Sequence, residues 1–289
     1  MITDEQRILA DKFQNLHSGK DMFLLPNIWD AGSAYIFEKQ GFDALATTSA
    51  GIAYSLGYPD GEKISFNDLL FIVKSITRRV KIPLSVDFER GYGETLKEFK
   101  EFSRILLENG VSGLNIEDGR ADGTLDKIDI MRDKIEILLE LKKELNLNFV
   151  INARTCAYWL KIGDKDERLQ TAVERGRIFK ESGADSVFIP GVEDEKTAEQ
   201  LVKSIEIPLN FLINSGLYDF DTYRKLGAKR ITLGSGTVRY IMDKLINIAL
   251  DIRDGNVSRL IENTFTYKKA NQYFNGAGDD QEKNKNLCK

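Results

Sequence analysis

The stretch Pro83-Leu84-Ser85-Val86-Asp87-Phe88-Glu89-Arg90-Gly91-Tyr92-Gly93 reads as a buried strand that ends in two acids and then breaks on glycine. Side chains alternate across a strand, so Asp87 and Glu89 are expected on one face and Val86 and Phe88 on the other. Two carboxylates in one half-buried pocket repel each other unless a cation or a shared proton offsets the repulsion. A hard, oxygen-seeking ion such as Mg2+ is the usual partner. The competing reading is a strand end whose acids face solvent.

Working outward, short apolar runs recur at 22–25, 44–48, 84–87, 113–116, 149–153, 186–189, 209–212 and 230–233, which makes eight candidate strands. Amphipathic stretches at 33–40, 66–79, 96–108, 131–145, 168–182, 196–204 and 220–226 separate them, and Gly41, Gly110, Gly183 and Gly227 stand where helices stop. Strict alternation of helix with near-continuously apolar strands implies parallel pairing and right-handed crossovers. Eight such units predict an α/β fold, a TIM (β/α)8 barrel. An open doubly wound sheet would need a glycine-rich turn after its first strand, where this chain has Leu25-Pro26-Asn27-Ile28-Trp29-Asp30. Ile8, Leu9, Phe13 and Leu16 have helical spacing and predict an N-terminal lid helix over 4–18. Two further helices are expected at 237–253 and 257–274, which gives a single barrel domain over 1–274 and a flexible tail over 275–289. A helix beyond a complete barrel suggests an oligomer contact.

The chain has 289 residues, a net charge of -4 and 42% hydrophobic residues, which suits one large domain with a sizeable core. No dense basic face argues for nucleic acid, and no stretch approaches the roughly 20 apolar residues of a membrane span. Cys156 and Cys288 are too few for a disulfide framework, so a reducing cytoplasm is expected. His17 is the one histidine, in a polar segment, which excludes histidine triads and two-histidine metal sites.

In such a barrel the active site lies at the C-terminal ends of the strands. Those ends carry Thr47-Thr48-Ser49-Ala50-Gly51 with Tyr54 and Asp60 in the following loop, then Asp87 and Glu89, then Asn115, Glu117 and Asp118, then Asn152 and Arg154. An arginine there matches a substrate carboxylate, whose two oxygens its planar fork can bind together. The alternative is a structural ion pair with a neighbouring acid. Gly234-Ser235-Gly236-Thr237 reads either as a phosphate cradle or as a turn that caps a helix. Cys156 reads as a small buried filler.

Together, Leu25-Pro26-Asn27-Ile28-Trp29-Asp30-Ala31-Gly32-Ser33-Ala34, Thr48-Ser49-Ala50-Gly51, Leu56-Gly57-Tyr58-Pro59-Asp60-Gly61, Val86 to Gly93, Asn115-Ile116-Glu117-Asp118 and Ala153-Arg154-Thr155 resemble the isocitrate lyase and phosphoenolpyruvate mutase superfamily. The resemblance implies a barrel, Mg2+ (with Mn2+ as a substitute), a 2-oxo acid or its enol as substrate, and a homotetramer that exchanges C-terminal helices. By the same resemblance Asp87 is the principal metal acid, Glu89 and Glu117 hold the ion's waters, and Arg154 clamps the substrate. Ser49, Ala50 and Gly51 would meet the substrate's carboxylate and oxo group, with Tyr54 and Asn115 beside them, and Asp60 would assist near the metal.

The departures narrow the reaction. Isocitrate and methylisocitrate lyases carry a Lys-Lys/Arg-Cys-Gly-His segment after the fourth-strand acid, where this chain reads Asp118-Gly119-Arg120-Ala121-Asp122-Gly123-Thr124-Leu125, so those two activities are not expected. Gly191 and Leu212 also replace an acid and an asparagine of the lyases, and the lysine and asparagine of phosphonopyruvate enzymes are missing from the loop. The expectation is a short-loop, phosphonomutase-like member: a Mg2+-dependent lyase of a small 2-oxo dicarboxylate, oxaloacetate first. The alternatives are C–P bond chemistry on phosphoenolpyruvate or phosphonopyruvate, and a non-catalytic protein that binds metal and oxo acid. The loop over 119–129 is expected to close on ligand, with Arg120 reaching inward as a second cation; its alternative partners are Asp118 and Asp122.

Overall fold

The computed structural model describes residues 1–275, so the expected tail lies outside the described residues except for Asn275. The strands are β1 (Phe23–Leu25), β2 (Asn27–Ile28), β3 (Leu45–Thr47), β4 (Leu84–Asp87), β5 (Gly113–Glu117), β6 (Val150–Arg154), β7 (Ser186–Phe188), β8 (Leu209–Leu212) and β9 (Arg230–Thr232). They form one parallel sheet in the order β1-β9-β8-β7-β6-β5-β4-β3-β2. β1 pairs with β9 and β2 with β3, and only Pro26 separates β1 from β2, so the sheet closes on itself through a single interrupted strand. Proline has no N–H to give a ladder, which explains the break. The expected (β/α)8 barrel is therefore present, with its first strand in two pieces.

The helices are α1 (Asp4–Ser18), α2 (Ala31–Lys39), α3 (Ser49–Ser55), α4 (Phe66–Thr77), α5 (Leu96–Glu108), α6 (Ile128–Leu145), α7 (Lys165–Glu181), α8 (Glu195–Ile205), α9 (Phe220–Leu226), α10 (Gly236–Arg253), α11 (Ser258–Ile261) and α12 (Tyr267–Phe274). Their starts are written locally. Thr3, Asp30, Ser65, Thr95 and Asp164 each accept a hydrogen bond from the third helical N–H, and that residue's side chain answers in a capping box. The described residues divide into two compact units, residues 1–239 and one that begins at Tyr240. In the second, Tyr240, Ile241, Leu245, Ile246 and Ile261 are all more than half exposed. Among the described residues no helix is long and apolar enough to cross a membrane.

Helix α1 covers the end of the barrel where the strands begin. Phe13 is fully buried against Leu25, Ala44, Ala46 and Val150. A Cβ on Gly113, the first residue of β5, would lie 2.7 Å from its ring, so the helix is a lid on the end opposite the acids. His17, expected in a polar segment, is instead buried and stacks edge-on with Phe13 and Phe23 at 4.7 and 4.9 Å. Burial, followed by the nearby charge of Arg230, pushes its pKa down to about 3, so the ring is neutral and part of an apolar plug. Above the plug the interior turns polar. Asn115, Asn152 and Ser186 lie in register across β5, β6 and β7, and Asn210 and Arg230 across β8 and β9.

Truncating the plug should be expensive: Phe13→Ala is expected to lower stability by about 3–5 kcal/mol, the usual cost of removing a buried phenylalanine. Urea unfolding checks this, and a loss under about 1 kcal/mol would show that α1 is peripheral.

Candidate active site

The strands end on a cavity of about 440 Å3 lined by Thr47, Ser49, Ala50, Asp60, Asp87, Asn115, Arg154, Trp159, Phe188, Asn210, Arg230 and Arg239, among others. Asp87, the last residue of β4, is held by its neighbours. Its own N–H donates to Thr47 Oγ1 at 2.8 Å, its Oδ1 accepts from Asn115 Nδ2 at 2.9 Å, and its Oδ2 accepts from the Ser49 N–H at 3.2 Å. Asn115 Oδ1 in turn accepts from Asn152 Nδ2 at 2.7 Å, so the orientation of Asp87 is set across three strands.

Glu89 reaches the same region by a route that alternation does not describe. The strand stops at Asp87 and the chain turns left-handed at Glu89 and Tyr92, with φ of 49° and 58°. Such conformations cost non-glycine residues roughly 1 kcal/mol or more each and persist only where the surroundings enforce them. The enforcement is reciprocal. Glu89 accepts from the Glu62 N–H at 3.0 Å and from Tyr92 Oη at 2.5 Å, while Glu62 accepts from the Arg90 and Tyr92 amides. Between them lies Gly91 at φ 109°, where a Cβ would sit 2.3 Å from the Phe99 ring.

Opposite, Glu117 and Arg154 end β5 and β6 in register and pair at 2.9 Å. Arg154 also donates to Cys156 Sγ at 3.2 Å and lies 5.5 Å from the Phe188 ring. The ion-pair reading of Arg154 is realised, and the residue also lines the cavity. Burial, followed by the charge of Asp87, pushes Glu89 up to about 8. Burial, opposed by Arg154 and reinforced by Asp87, pushes Glu117 up to about 7. Asp60 is raised by burial and by Asp87, with a Ser49 hydrogen bond acting the other way.

The structure therefore brings Asp60, Asp87, Glu89, Glu117 and Arg154 into one electrostatic neighbourhood, with Ser49, Ala50 and Asn115 at its wall. It does not bring in the rest. Gly51 is buried, with its N–H on Thr48 Oγ1 at 3.4 Å, and Tyr54 is outside the cavity lining. Asp118 faces away, accepting from the Cys156 N–H at 2.7 Å and from Arg175 at 2.9 Å. Arg120 also points elsewhere, pairing with Asp122 at 3.3 Å and with buried Asp126 at 3.2 Å. Asp126 additionally holds Arg90 at 3.0 Å, and a bridge joins Gly119 to Leu125. The loop expected to swing inward is a pinned hairpin, because the buried Asp126 gathers the cations around itself. The turn after β9 takes its plainer reading: the Leu233 and Gly234 amides both donate to Asn27 Oδ1 at 2.8 Å. Cys156 is buried as expected, and burial pushes its thiol far up.

Among the described residues no three acidic, cysteine or histidine side chains converge as a ready metal cage. The donor set nevertheless fits a divalent ion of Mg2+ type, which takes one or two carboxylates and keeps several waters. Asp87 lines the cavity, and a cation there would relieve the repulsion that raises Glu89, Glu117 and Asp60.

The crowding has a pH signature. The folded protein holds protons on Glu89 and Glu117 that the unfolded chain releases near pH 4.5, so it binds more protons between about pH 4.5 and 8 and its stability falls as pH rises through that window. The melting midpoint of metal-free protein is expected to drop across this range, and Glu89→Gln to flatten the drop; a midpoint that rises instead would contradict the assignment. Arg120→Ala, outside the cavity lining, is expected to change ligand affinity by less than about twofold, which titration calorimetry would check.

Three comparisons bear on this geometry. The 2-methylisocitrate lyase of Bacillus subtilis (strain 168) is 28% identical over 212 residues, 71% of this chain and 67% of that protein. A crystal structure provisionally described as a lyase/mutase from Burkholderia cenocepacia J2315 superposes with a TM-score of 0.87 at 29% identity, covering 96% of this chain and 99% of that one. A phosphonopyruvate hydrolase, solved with oxalate and Mg2+, shares the fold at a TM-score of 0.80 and 20% identity, with 91% and 94% covered. The sequence model of the family described as phosphoenolpyruvate phosphomutase matches residues 13–253, and with the barrel and its ring of strand-end acids this places the chain in the isocitrate lyase/PEP mutase superfamily of lyases and mutases.

Proposed function

We propose that this enzyme is a Mg2+-dependent lyase of a small 2-oxo dicarboxylate, with oxaloacetate as its substrate and a pyruvate enolate as the intermediate. What supports the reading is that Asp60 and Asp87 line one cavity with Arg154, while Glu89 and Glu117 lie close enough to feel the charge of both acids. Asp87 would hold the ion, with Glu89 and Glu117 taking its waters, and the ion would supply Lewis acidity at the developing enolate oxygen. Arg154 orients the carboxylate next to the oxo group, its fork steadied by Glu117 and the Phe188 ring. When the C3–C4 bond breaks, CO2 leaves and the electron pair passes to the oxo oxygen. Return of that pair to C3 requires a proton, and Asp60, whose pKa is raised and which hydrogen-bonds with Ser49, is placed to hold one. The phosphonopyruvate hydrolase with oxalate and Mg2+ supports a metal and a two-carbon acid unit in barrels of this shape.

A non-catalytic reading draws on a specific observation: both oxygens of Asp87 already accept protein hydrogen bonds. Turnover separates the two. A screen of oxaloacetate, phosphonopyruvate and methylisocitrate with Mg2+ or Mn2+, following pyruvate, is expected to give release from oxaloacetate; no release from any 2-oxo acid would leave the binding reading. The exposed apolar residues of the C-terminal unit support a homo-oligomer, the tetramer implied by the resemblance, which light scattering of the purified protein would test. Asp87→Ala is expected to abolish Mg2+ binding by calorimetry, and unchanged affinity would remove the central claim.

A further inference from the structure

Arg230 opens β9 with its side chain inside the barrel, 2% exposed, among the residues that line the floor of the cavity. A guanidinium carries five donors, and buried ones normally meet a carboxylate or several carbonyl oxygens. Here neither Nε nor Nη1 has an acceptor among the described residues. Below it lies the Phe13 ring, 5.9 Å from the guanidinium carbon, a weak partner for a cation. Burial pushes its pKa down to about 9, with Asp87 the one charge acting the other way. The neighbours are equally unsatisfied. Asn210, in register with Arg230 and also on the cavity wall, has a buried, unpartnered Nδ2, while its Oδ1 accepts from Thr232 at 3.3 Å. Ser85 Oγ, on the same wall, and Ser186 Oγ have no partner either.

An ordinary barrel interior is filled by branched apolar side chains. This one keeps a cation, an amide donor and the Ser85 hydroxyl free on the cavity wall, and among the unpartnered groups of this polar layer only Asn152 Oδ1, in register with Ser186, is purely an acceptor. We propose that Arg230 and Asn210 form a carboxylate-binding subsite in the cavity floor, which takes the second carboxylate of a dicarboxylic ligand. This rests on the lyase reading for the position of the first carboxylate at Arg154. The planar fork of Arg230 suits both oxygens of a carboxylate, and the enclosed surroundings strengthen each bond. The subsite makes the cavity selective for dicarboxylates over their monocarboxylate analogues, and it supplies the second cation that Arg120 does not.

The test uses inert probes that differ by one carboxylate, malate and lactate, titrated calorimetrically into Mg2+-loaded protein. Wild type is expected to bind malate at least about tenfold more tightly than lactate, the scale of a hydrogen-bonded charge. Arg230→Met is expected to bind the two alike, with lactate affinity within about twofold of wild type. Without carboxylates this variant should melt at or above the wild-type midpoint, because it removes a buried charge that lacks a counter-ion. The proposal is overturned if wild type shows no preference, if Arg230→Met keeps the preference, or if that variant loses both probes equally and melts lower. Should Arg230→Met fail to fold, Asn210→Ala decides: a malate preference cut at least about threefold supports the subsite, and an unchanged one overturns it. An Arg230-dependent preference in a protein that turns over no 2-oxo acid would sink the lyase reading alone, whereas turnover of oxaloacetate without the preference would sink the subsite alone.

Discussion

Four carboxylates held in one low-dielectric neighbourhood repel one another, and the upper end of this barrel is arranged around that repulsion. Asp87 is fixed from three sides by Thr47, Ser49 and Asn115, and its charge is felt by Asp60, Glu89, Glu117 and Arg230. The left-handed backbone at Glu62, Glu89 and Tyr92 belongs to the same arrangement, since it lets Glu89 accept from the Glu62 amide while Glu62 accepts from the Arg90 and Tyr92 amides. A scaffold that keeps this much charge and strain in one place is typical of a functional site, where such costs are offset when the ligand binds.

The barrel was legible because parallel strands buried on both faces read as continuous apolar runs, and because glycine stops and polar caps punctuate the helices between them. Asp87, Glu117 and Arg154 were legible for a geometric reason: they are the last residues of their strands. Glu62 was not, because its role depends on a loop whose path no local pattern announces. Arg230 was not singled out because it stands at the start of the 230–233 run, away from the strand ends where function was sought. Counting back by two from cavity-lining Thr232 would have turned it inward. Arg120 sits on Asp122, its alternative partner, and also on buried Asp126 six positions away, a competition that sequence does not display.

The hairpin after β5 shapes the chemistry by being short and pinned. Arg175 ties it to α7 through the carboxylate of Asp118 and the carbonyl of Asp126, and Gly119 leaves room for Cys156, whose sulfur would lie 2.8 Å from a Cβ there. The curated 2-methylisocitrate lyases are therefore relatives in family, and in this chain the segment after β5 is a structural clasp. On the proposed reading, chemistry falls to carboxylates and arginines with a bound divalent ion, and the polar floor beneath them would give the cavity a second end.

The central claim is that Asp87 is the anchor of a divalent ion. Anomalous diffraction from crystals grown with Mn2+ and oxalate tests it most directly. The account predicts one strong peak within coordination distance of an Asp87 carboxylate oxygen, with ordered waters between it and Glu89 and Glu117 and the oxalate turned toward Arg154. A peak at some other cluster, or none at Asp87 with oxalate bound, would contradict it.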